Sequence, residues 1–225
     1  MISISVKQAV NTLQSAKSNL SPRQFAQGVS RALNESILQG RTEARSQVKS
    51  IYNIPQRYVS GINIKKAIPV SLIAQLYASA KPIPMDAFAP KFESSSFGLS
   101  ISKKGELKQR KYKKAKKSPG MGVSIEVIKG KRETIPFAFL IPSAKPRVFA
   151  RGEYRSGTNY GFVTRNKRVN KKGSDTPIKP LVSVTVHAAV INKDSLSQIE
   201  GRVMRVFPVS IERNITYLMS KVRAS

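Results

Sequence analysis

Few residues in this chain have the type and spacing that reaction chemistry needs. The single histidine, His187, follows a β-branched run and precedes Ala188 and Ala189. One imidazole cannot assemble the multi-ligand site that zinc or copper asks for, and with no cysteine there is no thiolate to help it. Asp and Glu number 12 and are scattered. Glu126 and Glu133 are the pair that a hairpin would bring close, but a two-metal nuclease needs a denser acidic cluster, and two glutamates among lysines more often form local ion pairs. A Ser-His-Asp set can be written only by arbitrary choice, and no Gly-x-Gly-x-x-Gly or Walker-type loop is present. The residues therefore predict a non-enzyme, with no catalytic residue, no cofactor and no metal ligand.

What the chain has in excess is positive charge: 40 Lys and Arg among 225 residues, a formal net charge of +28 and a pI near 10.7. Two segments concentrate it. The first, 103–120, holds Lys103, Lys104, Lys108, Arg110, Lys111, Tyr112, Lys113, Lys114, Lys116 and Lys117. The second, 152–176, continues from Arg151 through Arg155, Arg165, Lys167, Arg168, Lys171 and Lys172, with Tyr154, Tyr160 and Phe162 among them. Like charges at this density repel one another and stay solvated until neutralised, so both segments read as basic loops or arms. Lys and Arg that meet phosphates release counterions, and interspersed tyrosines offer faces on which bases stack. The same composition suits an acidic protein surface. No helix-turn-helix, zinc-finger or RNA-recognition signature is present, so these residues are candidate polyanion or partner contacts without sequence readout.

The elements that would hold these arms have clearer patterns. Val123, Ile125 and Val127 alternate as a half-buried strand does, and Lys129-Gly130-Lys131 is a turn signal. The apolar runs Ile135–Ile141 and Val148–Ala150 follow, predicting an antiparallel meander over Val123–Arg151. Phe97, Leu99 and Ile101 predict a strand that pairs with the one after the basic run, leaving Lys103–Lys117 as the loop between them. Ile62 and Ile64 predict a strand, Val70–Ala80 fits strand or helix and is read as strand, and Leu181–Val186 is a β-branched strand.

Ser21-Pro22-Arg23-Gln24 is a helix start, with serine as cap, proline at the first helical position and glutamine placed for a capping box. The apolar stripe from Phe25 to Ile51 predicts one long helix that needs a sheet face to lie on, ending at Asn53-Ile54-Pro55. Pro55–Ser60 fits one helical turn closed by Gly61. A weaker stripe, Val6, Val10, Leu13 and Ala16, precedes the long helix. At the other end Asp194 or Ser195, with Gln198, predicts a cap for a closing helix that Pro208 kinks or splits. The fold class is α+β, an antiparallel meander packed by an N-terminal and a C-terminal helix. It divides into a helical segment 1–53, a β core 54–192 with its two basic arms, and a helical segment 193–225. No apolar run is long enough to span a bilayer, and the N-terminus lacks the pattern of a signal peptide, so no membrane contact is expected. The lack of cysteine excludes disulfides and permits a reducing compartment.

The order of several short motifs carries a resemblance. Ala32-Leu33-Asn34, Tyr52-Asn53-Ile54, Lys66-Ala67, Lys81-Pro82-Ile83-Pro84-Met85 and Phe88 come first. Val123–Gly130, Ile135, Ala138-Phe139, Val148-Phe149-Ala150-Arg151-Gly152 and Thr176-Pro177-Ile178 follow. In this order the chain resembles the phage minor tail protein Z family, the lambda-like tail-completion proteins, from the first long helix to the last strand. The resemblance implies a virion structural protein at the head-proximal end of the tail, assembled in the host cytoplasm, that helps join tail to head and lets the genome pass. It implies a homo-oligomeric ring, with six-fold symmetry a candidate, and neighbours among other tail and neck proteins, with genomic DNA as a further contact. It carries no catalytic motif, and it favours strand for Val70–Ala80. The chain departs from the family pattern in its enlarged Lys103–Lys117 run, and after Ile178, where a strand stands in place of a Gly-Pro-Ser turn. A lumen lined with lysines would retard a sliding genome, so acidic protein neighbours suit Lys103–Lys117 better than DNA. The alternative function is a nonspecific nucleic-acid-binding protein, with a nuclease third.

Overall fold

The computed structural model describes residues 2–3, 20–94, 97–101, 107–111, 120–141, 147–155, 161–164 and 177–223. In chain order the first elements are β1 (Ile2–Ser3), α1 (Pro22–Ile51), α2 (Gln56–Val59), β2 (Asn63–Lys65), β3 (Gln75–Tyr77) and β4 (Pro82–Pro84). The strands β5 (Lys91–Ser94), β6 (Phe97–Ile101), β7 (Leu107–Lys111), β8 (Gly120–Ile128), β9 (Lys131–Ile135), β10 (Ala138–Ile141) and β11 (Arg147–Tyr154) come next. The chain closes with β12 (Phe162–Thr164), β13 (Ile178–Pro180), β14 (Val182–Thr185), α3 (Val186–Val190) and α4 (Lys193–Arg223). This is the α+β class, and the defined strand registers are all antiparallel. Contacts divide the chain into two compact units. One takes in Met1–Ile51, Gln56–Lys81 and Thr185–Ser225, the other Tyr52–Pro55 and Pro82–Val184. Both terminal helices thus fall in one unit, a grouping that no division along the sequence makes.

In the first unit, α1 begins as its sequence dictates. Gln24 N donates to Ser21 Oγ at 3.3 Å while Ser21 N donates to Gln24 Oε1 at 3.0 Å, closing the capping box. The stripe Val29, Ala32, Leu33, Ile37, Ala44 and Val48 is buried, but its main partner is α4 and not a sheet face. The expected helix-on-sheet packing is corrected because α4 presents a matching stripe, Ile199, Val203, Phe207, Ile211, Ile215 and Leu218, over nearly the same length. Glycines let the two backbones approach: a Cβ at Gly28 would lie 2.8 Å from Ile215 Cδ1, and one at Gly40 would lie 2.7 Å from Val203 Cγ2. Those contacts set the helices antiparallel.

The cap of α4 is Asn192, not Asp194 or Ser195. Asn192 Oδ1 accepts from Asp194 N at 3.1 Å, and Ser195 is wholly buried in the first turn. Pro208 does not split α4, because it lies on the exposed face of the helix while Phe207 and Ile211 on either side stay buried. The strand read over Val70–Ala80 contracts to β3, which pairs with β1 and β2. Ahead of it, Ile68 and Ser71 exchange two backbone hydrogen bonds and close a tight turn. The weak stripe of Val6–Ala16 lies outside the described residues.

In the second unit the predicted meander is two sheets. β9 pairs with β8 in the sheet β5-β8-β9, whereas β10 pairs with β11, which also carries β12 and β13. The apolar run Ile135–Ile141 breaks at Pro136-Phe137, since proline cannot donate to a ladder. β6 does not pair with β8 as expected; its partner is β7, inside the basic run, with Ile101 opposite Leu107 and Phe97 opposite Lys111. The antiparallel hairpin reaches its partner through a shorter connection than the expected loop would need. Two glycines at positive φ allow close crossings: a Cβ at Gly122 (φ 114°) would overlap Ile135 O, and one at Gly152 (φ 146°) would overlap Val163 O. Phe88, Val123, Val148, Ala150 and Leu181 are among the buried core. The predicted strand Leu181–Val186 ends at Thr185, whose hydroxyl accepts from Ala188 N at 2.9 Å and so caps α3.

Candidate partner-binding surfaces

The structure distributes the predicted basic contacts unevenly. Lys108, Arg110 and Lys111 sit on β7, opposite Ser100, Gly98 and Phe97 in register, so part of the first arm is strand. Arg151 is half-buried on β11, opposite Ile178, and Arg155 is exposed just beyond that strand. β7 and β11 belong to different sheets. Lys103, Lys104, Tyr112, Lys113, Lys114, Lys116, Lys117, Tyr160, Arg165, Lys167, Arg168, Lys171 and Lys172 lie outside the described residues.

Tyr154 does not stand free to stack on a base. Its hydroxyl donates to Pro180 O at 3.0 Å and accepts from Val182 N at 2.9 Å, clamping the link between β13 and β14. Its ring meets Phe162 edge-on at 5.0 Å, and Phe162 in turn stacks on Phe137 at 6.1 Å. Burial raises the phenol above its ordinary pKa, against the smaller opposite pull of the Val182 N–H.

Two carboxylates of this unit, Glu126 and Glu133, serve as counter-ions. Arg132 donates to Ser124 O (3.1 Å) and Ala89 O (3.2 Å), and Glu126 lies 3.8 Å from it. Ser124 donates to Glu93 Oε1 at 2.6 Å, so the network ties all three strands of the β5-β8-β9 sheet. Glu133 bonds Lys131 at 2.9 Å, and that hydrogen bond, then the charge behind it, raises the lysine pKa. Glu126 and Glu133 are thus drawn to different cations and form no acidic pair. Among the described residues no group of three or more His, Cys, Asp or Glu is placed to hold a metal ion, and no described helix is long and apolar enough to cross a membrane. His187 stands in the first turn of α3, its backbone amide donating to Ser79 O at 3.0 Å.

A feature that sequence reading missed lies between β9 and β14. Two adjoining concavities, of about 500 Å³ and about 370 Å³, share Met85, Ile135, Ser183 and Val184. The wall of the larger includes Phe137, 45% exposed, and that of the smaller includes Ile128, 43% exposed. The ionic groups lining the groove, Lys131 and Glu133, neutralise each other. Among the described residues β9 pairs only with β8 and β14 only with β4, so the groove lies between two sheet edges. The available signal was Pro136 inside an apolar run, which ends one sheet and leaves the next side chain, Phe137, outside both.

Residues that carry the family resemblance fall at structural junctions. Asn34 grips Ala67 at two points, Nδ2 donating to Ala67 O (2.9 Å) and Oδ1 accepting from Ala67 N (2.7 Å). Phe88 is fully buried and its carbonyl accepts from Glu126 N, and Gly152 N donates to Pro177 O at 3.0 Å. Comparison with protein-family models, curated proteins and solved structures finds no match to this chain.

Proposed function

We propose that this protein is a structural subunit of a phage tail, of the tail-completion kind, that assembles into a ring near the head–tail joint and works by binding rather than catalysis. The observation that carries this reading is electrostatic. Glu93, Glu126, Glu133 and Glu35 are engaged within the chain, by Ser124, Arg132, Lys131 and Arg213 respectively, while the chain as a whole keeps a net charge of +28. A folded body with that imbalance repels itself, and an anionic neighbour relieves the repulsion. The ordered motifs of the sequence supply the tail assignment, and their placement at packing junctions suits a scaffold.

Purified protein mixed with tail and neck components, imaged by electron microscopy, tests it: rings or tail-end caps containing this chain support the reading, and its exclusion from every particle overturns it. The second reading, nonspecific nucleic-acid binding, is favoured by the density of Lys and Arg along β7 and its flanks. It predicts that the isolated chain binds duplex DNA with a steep log–log salt dependence. Replacing Lys108, Arg110 and Lys111 with Glu should abolish that binding, whereas a tail protein docked on acidic neighbours loses particle incorporation instead.

A further inference from the structure

Two apolar features of opposite shape stand open to solvent, one in each unit. In the first unit the Ile68–Ser71 turn is locked by Ile68 N→Ser71 O at 3.1 Å and Ser71 N→Ile68 O at 3.0 Å. Pro69 restricts its backbone further. On this rigid support Val70 is 95% exposed, Ile68 56% and Ile73 51%. In a chain so rich in cations, Ile68-Pro69-Val70-Ser71-Leu72-Ile73 carries no charge at all. In the second unit, the groove between β9 and β14 is apolar, and its lining cation and anion cancel.

We propose that the Ile68–Ile73 turn of one copy seats in the β9–β14 groove of a second copy, joining identical subunits head to tail. Charge selects this occupant. Among the described residues the groove is lined by one ion pair, Lys131 and Glu133, which satisfies itself and offers little to a phosphate or an acidic peptide, so it suits an uncharged apolar knob. Shape agrees, because the turn offers branched side chains on a stiff loop and the groove is open along its length. Area sets the strength. Three side chains so exposed present on the order of 300 Å² of apolar surface, the size of the largest patch on a typical monomer. That is short of the roughly 800 Å² per partner of a stable free-standing dimer. A heterologous contact is repeated by every subunit and closes when the rotation allows, so isolated pairs are weak and the closed assembly is strong. The inference rests on the ring reading for closure alone; the contact itself follows from the two surfaces.

Copies of like charge repel, and salt screens that repulsion within a Debye length of about 10 Å at 0.1 M. Self-association through this contact therefore strengthens as salt rises, opposite to the salt response of polyanion binding. Sedimentation velocity of the full chain, over a range of concentrations at low and high salt, reads this directly. Val70→Asp removes the knob and Phe137→Asp blocks the groove; both sites are exposed, and an unchanged melting midpoint verifies folding. The wild type should associate more at high salt, and each variant alone should weaken by at least about tenfold. At the highest concentrations their equimolar mixture should give weak 1:1 pairs that grow no further, since each variant keeps one working half. Variants that assemble like wild type overturn the contact, and so does a mixture that, at the highest concentration reached, pairs no more than either variant alone. If the variants assemble normally, the ring reading survives with another interface. A wild type that stays monomeric at both salts overturns the contact too, and capture by tail components then judges the ring reading separately.

Discussion

The helix pair of the first unit and the sheets of the second handle apolar surface in opposite ways. In the first, the stripes of α1 and α4 face each other, so Leu33, Ile37, Ile199 and Val203 are buried and glycines draw the helices together. In the second, the strands are shared among small sheets with free edges, and Phe137, Ile128 and Val163 remain substantially exposed. Helices of matched length can satisfy each other along their whole stripe, whereas short sheets that end at Pro136 or at a bulge leave flanks that their own strands do not cover. The first arrangement stores stability and the second offers surface to a partner.

The sharpest way to break this contrast is to truncate one side chain in each place. Leu33→Ala empties a fully buried site between two long helices and should cost about 2–5 kcal/mol, since the surrounding helices relax only partly. Phe137→Ala removes a larger side chain from the rim of the groove and should cost less than about 1 kcal/mol, as surface changes usually do. Urea midpoints of the two variants decide it. A Phe137→Ala loss that rivals Leu33→Ala would mean that the groove is core.

The glycines of the helix pair sharpen the contrast next. A methyl group at Gly40 meets Val203 Cγ2 at 2.7 Å, on a stiff β-branched side chain that has little room to move. Overpacking of about 1–3 kcal/mol should then outweigh the gain of roughly 1 kcal/mol that alanine brings to a helix. Gly201, on α4, has nothing within 4 Å of its added Cβ, so Gly201→Ala should stabilise by about 0.5–1 kcal/mol. Opposite signs from the same substitution, read from thermal midpoints, locate the close approach on one side of α4.

How much of this was legible follows the range of the interactions. The Ser21–Gln24 box, the end of α1 before Pro55 and the hairpin at Gly130 depend on neighbours in sequence, and reading the sequence recovered them. The partner of α1 depends on residues more than a hundred positions away. An apolar stripe says that it must be covered, not by what. The division of the meander at Pro136 was readable in principle, because proline is a poor strand interior, but the apolar run around it hid the break. The Asn192 cap was missed because Asp194 and Ser195 are equally good capping residues by type, and geometry alone chooses. Of the candidate contacts, composition found the basic segments but not the strand β7 within them. It also gave Tyr154 a stacking role where the fold gives it a clamp. The groove was invisible, since its walls come from Tyr52, Met85, β8, β9 and β14, which only the fold brings together.

Tyr154 offers an intermediate test inside the second unit. Tyr154→Phe removes the acceptor of Val182 N and the donor to Pro180 O, and should cost about 1–2 kcal/mol, because a half-buried donor loses its partner. The phenol pKa is raised in the folded state, so the folded protein keeps that proton at pH values where the unfolded chain has lost it. Its contribution is complete below the ordinary tyrosine range near pH 10 and declines as pH climbs towards the raised folded value. Melting midpoints measured from pH 7 to pH 11 should therefore fall less at the alkaline end for Tyr154→Phe than for wild type. Parallel curves would show that the hydroxyl is not held as the geometry says.

The smallest effect belongs to the surface of the helix pair. Arg213 Nη2 lies 2.6 Å from Glu35 Oε2, and Asn214 Nδ2 donates to the same oxygen at 3.2 Å, so α1 and α4 are bridged by charge as well as by their stripes. The arginine side chain is 69% exposed and the glutamate 38%, which leaves the attraction largely to water and salt. Glu35→Gln keeps the size and one acceptor oxygen while removing the charge. It should cost only about 0.2–1 kcal/mol at low salt, and the difference from wild type should shrink as salt screens the pair. The protein's large positive charge adds a second term: the variant raises the net charge by one, and added salt relieves that repulsion as well. Both terms have the same sign, so urea midpoints of Glu35→Gln and wild type should converge at high salt. A gap that persists at high salt would show that Glu35 holds the helices through Asn214 rather than through charge, and the contact would then belong with the buried stripe and not with the solvated face.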